Sequence, residues 1–95
     1  MDFNKLRDDF PTLTGDNVPA YLDNACVTLK PQSVINSIHK YYTQTPGCGG
    51  RSVHRYGTAV SKAVRDARVT LGTFLGANDP NEIVFTRNAT HSLNQ

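Results

Sequence analysis

The chain has 95 residues, enough for one small domain and too few for two, and its 38% hydrophobic and 19% charged residues make an ordinary folded composition. Its net charge of +2 comes from scattered Lys and Arg with no basic run to track a nucleic-acid backbone, and no apolar stretch approaches the ~20 residues that span a bilayer. Cys26 and Cys48 have no near partner, which excludes a disulfide scaffold or a C-x-x-C zinc site, and the charged start from Met1 to Phe10 has no signal-peptide core, so both are expected to be reduced thiols in a cytoplasmic protein.

Asp2 is placed to cap a short helix through Asp9, with Phe3, Leu6 and Phe10 on one side. Pro11 ends it, because the residue before a proline avoids the helical region. Gly15, Asp16 and Asn17 make a turn between Thr14 and Val18. Ala20-Tyr21-Leu22 reads as a short strand, closed by Asp23-Asn24. Pro31 suits the first position of a second helix, whose Val34, Ile35, Ile38, Tyr41 and Tyr42 form one apolar stripe. That helix ends before Pro46. Residues 43–52 are a loop containing Pro46-Gly47-Cys48-Gly49-Gly50, with few side chains to pack, and mobility is expected there.

A long helix follows from about Gly57 to Leu75, with Val60, Ala63, Val64, Ala67, Leu71, Phe74 and Leu75 at helical spacing and Lys62, Arg65, Asp66 and Arg68 on the other face. Gly76 suits its stop. Residues 78–81 form a turn, and Glu82 to Thr86 is the best strand candidate in the chain. Asn88-Ala89-Thr90 then leads into a helix near His91. The expected fold class is α/β, mostly helical, with one short strand and the first strand of a larger sheet. Residues 1–80 are expected to form a helical segment and 81–95 the start of a sheet-bearing domain, so that the whole reads as an N-terminal portion.

Three places invite chemistry: residues 88–90, His54 and Cys48. A helix start offers free N–H groups that bind phosphate, and a Thr there adds a hydroxyl donor. Residues 88–90 have that arrangement, although Thr is also a common N-cap, which on the residues alone is its more ordinary role. His54 follows the glycine-rich loop and precedes a helix. A surface histidine is the ordinary case there, and an active-site residue is the functional one. Cys48 would need a neighbouring base or cation to become a nucleophile, and Arg51 is the sole candidate nearby in sequence.

Four stretches, in order, carry a resemblance. They are Tyr21-Leu22-Asp23-Asn24-Ala25 with Lys30-Pro31, the helix ending Tyr41-Tyr42, Arg51-Ser52-Val53-His54-Arg55 with the long helix after it, and Glu82 to Thr90. Together they resemble the cysteine desulfurase branch of the class V aminotransferase family, from about Phe10 to Asn94. Val53-His54-Arg55 looks most like the subgroup that includes selenocysteine lyases.

The resemblance implies a pyridoxal 5'-phosphate (PLP) dependent transferase of fold type I, with residues 81–95 opening its PLP-binding large domain. It implies that Thr90 gives a hydroxyl, and Ala89 an amide, to the PLP phosphate, and that Asn24, Ala25 and His54 lie near the substrate. Arg55 would be structural or at a subunit interface. Cys26 stands where the family often has a small residue and is expected to be a small buried hydrophobe. His91 replaces a frequent Glu, which leaves that residue's interface contacts without a counterpart.

Ser37-Ile38-His39-Lys40 resembles the family's cofactor-lysine element but lies inside the second helix, in the wrong part of the sequence. The Schiff-base lysine, the pyridinium partner and the persulfide-forming cysteine are all expected beyond residue 95, and Cys48 does not match the position of that cysteine. The chain therefore holds no catalytic residue and no metal ligand by this comparison. The implied enzyme releases sulfur from L-cysteine, leaving alanine and an enzyme persulfide for iron–sulfur cluster or thiocofactor assembly. It would be a homodimer that serves a sulfur-acceptor protein. A selenocysteine lyase, an epimerase or a kynureninase-like enzyme would fit the same segment. So would a non-catalytic helical interaction module derived from the family.

Overall fold

A computed structural model describes residues 2–95, and the chain divides into two compact units, one ending at Gln44 and the other running Thr45–Gln95.

In the first unit, α1 (Phe3–Arg7) begins where the Asp2 carboxylate accepts the Asn4 and Lys5 amides at 3.0 and 3.4 Å. A 3₁₀ turn follows at Pro11–Leu13, where Pro11 has no N–H to lose. The loop after it turns through Gly15 and Asn17, both at positive φ, in the region that Gly and Asn tolerate best. The Gln32 amide donates to the Asp9 carbonyl at 2.7 Å and ties this stretch to α2 (Gln32–Gln44). Pro31 stands just ahead of α2, and its carbonyl accepts the Ile35 amide.

In the second unit, α3 (Arg55–Leu75) is capped by the His54 side chain and stopped by Gly76 in the left-handed conformation. A 3₁₀ turn at Pro80–Glu82 has a reciprocal capping box, with the Glu82 side chain accepting the Asp79 amide. The short α4 (Ala89–Leu93) ends the unit.

The expected α/β class is corrected: among the described residues there is no β-strand, and every regular element is helical. Residues 20–22 are shaped by a side chain instead of a ladder. The Tyr21 hydroxyl donates to the Val27 carbonyl, while the Cys26 and Val27 amides both turn back to Asp23. At 82–86 the 3₁₀ turn takes Glu82, and 83–86 are irregular, with no neighbouring strand. The β-branched and aromatic residues there favour a pleated surface only when cross-strand partners fill it.

The expected mobile loop is also revised, because its glycines lie flat against α3. A Cβ on Gly47 would meet the Gly57 nitrogen and the Tyr56 carbonyl carbon at 2.8 Å, and one on Gly49 would meet Val60 at 3.2 Å. The Gly50 amide donates to Ser61 Oγ at 2.9 Å, and Ser61 in turn donates to the Gly57 carbonyl. Further along α3, Gly72 faces Ala77, Pro80 and Ile83. Gly57, Ser61 and Gly72 thus form the side of α3 that its own chain covers.

The neighbouring apolar stripes stay open. Phe74 is 84% exposed and Leu75 66%, and on α2 Ile38 and Tyr42 are exposed at 54% and 72%. No hydrophobic side chain among the described residues is buried. The accessible surface is 8259 Å². Even two separate compact bodies of half the chain's mass would together expose only about 6,500 Å².

Candidate functional site

Asn88, not Thr90, is the N-cap of α4: its Oδ1 accepts the His91 amide at 2.8 Å, and its carbonyl accepts the Ser92 amide. Asn ranks with the best N-capping residues, so the signal was present in the sequence three residues before the expected helix start at His91. Thr90 therefore stands at the second helical position. The Ala89 and Thr90 amides and the Thr90 hydroxyl have no acceptor or donor among the described residues. These are three donors within two residues.

The turn that presents them is held from both sides. The Arg87 amide donates to His91 Nδ1 at 3.2 Å, and His91 Nε2 is 2.9 Å from Gln95. Thr86 and Ser92 join their hydroxyls at 2.5 Å. His91 thus braces the turn, a role that the sequence alone did not suggest. This donor set fits the phosphate of PLP, which accepts hydrogen bonds at every oxygen. With only five residues in α4, the individual N–H and O–H groups matter more than any summed helix dipole.

His54 caps α3: its Nδ1 accepts the Gly57 amide at 3.4 Å, and its ring stands edge-on to Tyr56 at 6.1 Å. An Nδ1 that accepts leaves Nε2–H as the group a ligand would meet. His54, Ala89 and Thr90 belong to the second unit, whereas Asn24 and Ala25 form an exposed turn of the first. The Asn24 carbonyl accepts the Thr28 hydroxyl at 3.3 Å. Cys26, expected to be buried, is exposed, because the turn around it faces solvent. Cys48 is exposed as well. Lys40 lies within α2, as the apolar spacing required. No group of three or more His, Cys, Asp or Glu among the described residues is placed to hold a metal ion, and no described helix is long and apolar enough to cross a membrane.

Residues 20–95 match the profile of the family described as aminotransferase class-V. The chain is 35% identical over 98 residues to a "Probable cysteine desulfurase" of Halobacterium salinarum, covering 99% of this chain and 24% of that protein. It is 37% identical over 90 residues to one of Chlamydia trachomatis, covering 94% and 22%. It is 34% identical over 98 residues to "Probable cysteine desulfurase 2" of Mycobacterium leprae, covering 99% and 23%. The chain therefore spans about a quarter of the length of the curated relatives it matches.

Proposed function

Because the chain belongs to the aminotransferase class-V family, we propose that it is the N-terminal part of a PLP-dependent cysteine desulfurase. The observation that carries this is the similarity of nearly the whole chain to proteins described as probable cysteine desulfurases. The reaction takes sulfur from L-cysteine, leaves alanine, and passes the sulfur to an enzyme cysteine as a persulfide. PLP, when bound, supplies the electron sink that lets bonds at the substrate α-carbon break.

These residues contribute binding and orientation. Ala89 N–H, Thr90 N–H and the Thr90 hydroxyl hold the cofactor phosphate, and Asn88 fixes the turn that aims them. His54, held by the Gly57 amide, presents Nε2–H toward the substrate, with Asn24 and Ala25 at the substrate end of the cofactor. The lysine and the cysteine that do the chemistry come from outside residues 1–95. The proposal extends to a homodimer that hands sulfur to an acceptor protein in the cytoplasm; the open apolar faces of α2 and α3 are surface that a larger assembly would cover.

Thr90→Ala tests the reading in a protein that carries this segment together with the Schiff-base lysine. A hydrogen bond to a charged group contributes ~1.5–3 kcal/mol, so PLP affinity should fall by roughly one to two powers of ten. Because Asn88 is the cap, the melting temperature of the apo form should hold. A lower apo melting temperature with unchanged PLP affinity would show that Thr90 serves the fold and not the phosphate.

A further inference from the structure

The first unit contains a concavity of about 400 Å³ that the phosphate donors do not account for, and of the residues given a role above only Asn24 lines it. Its size falls within the range of small-molecule sites. One wall is the end of α1 and the 3₁₀ turn, with Phe10 and Leu13 facing the space. The opposite wall is the loop that carries Tyr21, Thr28 and Leu29. Both walls are fixed. The Gln32 amide is bonded to the Asp9 carbonyl on one side, and on the other the Tyr21 hydroxyl is bonded to the Val27 carbonyl. Phe10, Leu13, Tyr21 and Leu29 are all half-buried, and the lining mixes their apolar surface with the polar side chains of Arg7, Asn24 and Thr28.

Two lining side chains remain uncommitted. The Arg7 guanidinium and the Asn24 carboxamide have no hydrogen-bond partner among the described residues. Arg7 is the one charged group in the lining, and Lys30 places a second cation behind the wall by donating to the Thr28 carbonyl at 2.6 Å. A guanidinium fork matches a carboxylate in two parallel hydrogen bonds. A carboxamide N–H in the same lining offers a further donor, and Phe10, Leu13 and Leu29 suit a hydrocarbon.

We propose that this pocket binds a small monocarboxylic acid with an apolar body the size of a leucine or phenylalanine side chain, with Arg7 and Asn24 taking the carboxylate. Recognition is local. Up to Gln44 the chain carries five acidic and four basic residues, so no general positive field draws the ligand in. The inference is independent of the phosphate role proposed for Ala89 and Thr90, which belong to the other unit.

The test is a titration of the ¹⁵N-labelled chain with 4-methylpentanoate and, in parallel, with its uncharged amide. The acid should give saturable shifts at Asn24, Thr28 and Leu29, and the amide should bind at least ~10-fold more weakly. Arg7→Gln should weaken the acid by ~10–100-fold and leave the amide unchanged, while Arg7→Lys should keep part of the affinity, since an ammonium retains the charge but not the fork. Equal binding of acid and amide, unchanged acid binding in Arg7→Gln, or no saturable shift would overturn the proposal. Should Arg7→Gln disturb the spectrum of the whole unit, the acid–amide comparison on the unaltered chain and the Arg7→Lys variant decide it.

Discussion

Gly57→Ala and Gly72→Ala are the same substitution in the same helix at its two buried residues, and they should change stability in opposite directions. At Gly57 the new Cβ would lie 2.4 Å from the Ser52 Cβ and 2.5 Å from the Ser52 carbonyl oxygen. The oxygen is backbone, so relief requires the 47–52 loop to lift from α3. That puts at risk the bond from the Gly50 amide to Ser61 and the close seat of Gly47. Overpacking of this kind costs ~1–3 kcal/mol, with a lost hydrogen bond adding ~1, against ~1 gained from the better helix propensity of Ala. The net is a loss of ~1–3 kcal/mol. At Gly72 the nearest atoms to a new Cβ are Ala77 Cβ, Ile83 Cγ1 and Pro80 Cα, all at 3.8 Å, which is ordinary contact. Nothing must move, the propensity gain of ~1 kcal/mol stands, and a methyl fills space between α3 and the returning chain. Urea unfolding followed by circular dichroism should give opposite shifts in midpoint, and amide exchange at Gly50 should quicken in Gly57→Ala alone. Shifts of the same sign would refute the packing described at the two glycines.

Asn88→Ala removes the α4 cap and should cost ~1 kcal/mol locally, read as faster exchange of the His91 amide, whereas Asn88→Asp should keep the cap. His54→Ala should destabilise the start of α3 by ~0.5–2 kcal/mol, measured as loss of Gly57 amide protection, and His54→Asn should restore it through the same acceptor geometry. Lys62→Ala should change stability by less than ~0.5 kcal/mol in urea unfolding, because the Lys62–Asp66 pair has both side chains more than half exposed. Cys26 and Cys48 should both react with a thiol reagent in native buffer, at rates that denaturant barely raises, since both are exposed.

Helices were legible in the sequence because their signals are local. Asp2, Pro31 and Gly76 each mark an end within a few residues of the observed one, and the 3.6-residue spacing of Val60, Val64, Ala67 and Leu71 identifies α3 without reference to anything distant. The strand at 82–86 was not legible in the same way. Its residues record a preference for a sheet, but a ladder needs a second segment, and no described residue provides one. The glycine loop was misread for a related reason. Lack of side chains suggests freedom when the loop is considered alone, whereas here it allows backbone to approach backbone at Gly47 and Gly57. At the candidate site the sequence pointed to a turn at 88–90 leading into a helix, but the division of labour within it, with Asn88 capping and Thr90 uncommitted, depends on where α4 begins. A shift of two residues in that boundary would exchange the two roles.

The packing of Thr45–Gln95 on α3 also has a consequence for timing. Its tertiary partners are near neighbours in sequence: Gly47 with Gly57, Gly50 with Ser61, Ser52 with Gly57, and Gly72 with Ile83. They close spans of five to eleven residues, motions that take on the order of 10–100 ns, and helix growth needs ~0.1–1 μs. A ribosome adds ~5–20 residues per second, so each of these contacts has time to form and break many thousands of times before the next residue is added. The turn at 86–92, which carries the free donors of Ala89 and Thr90, is equally local, through Thr86 with Ser92 and Arg87 with His91. The donor set is therefore assembled by residues made within a second or two of one another, and its shape waits for no distant part of the chain.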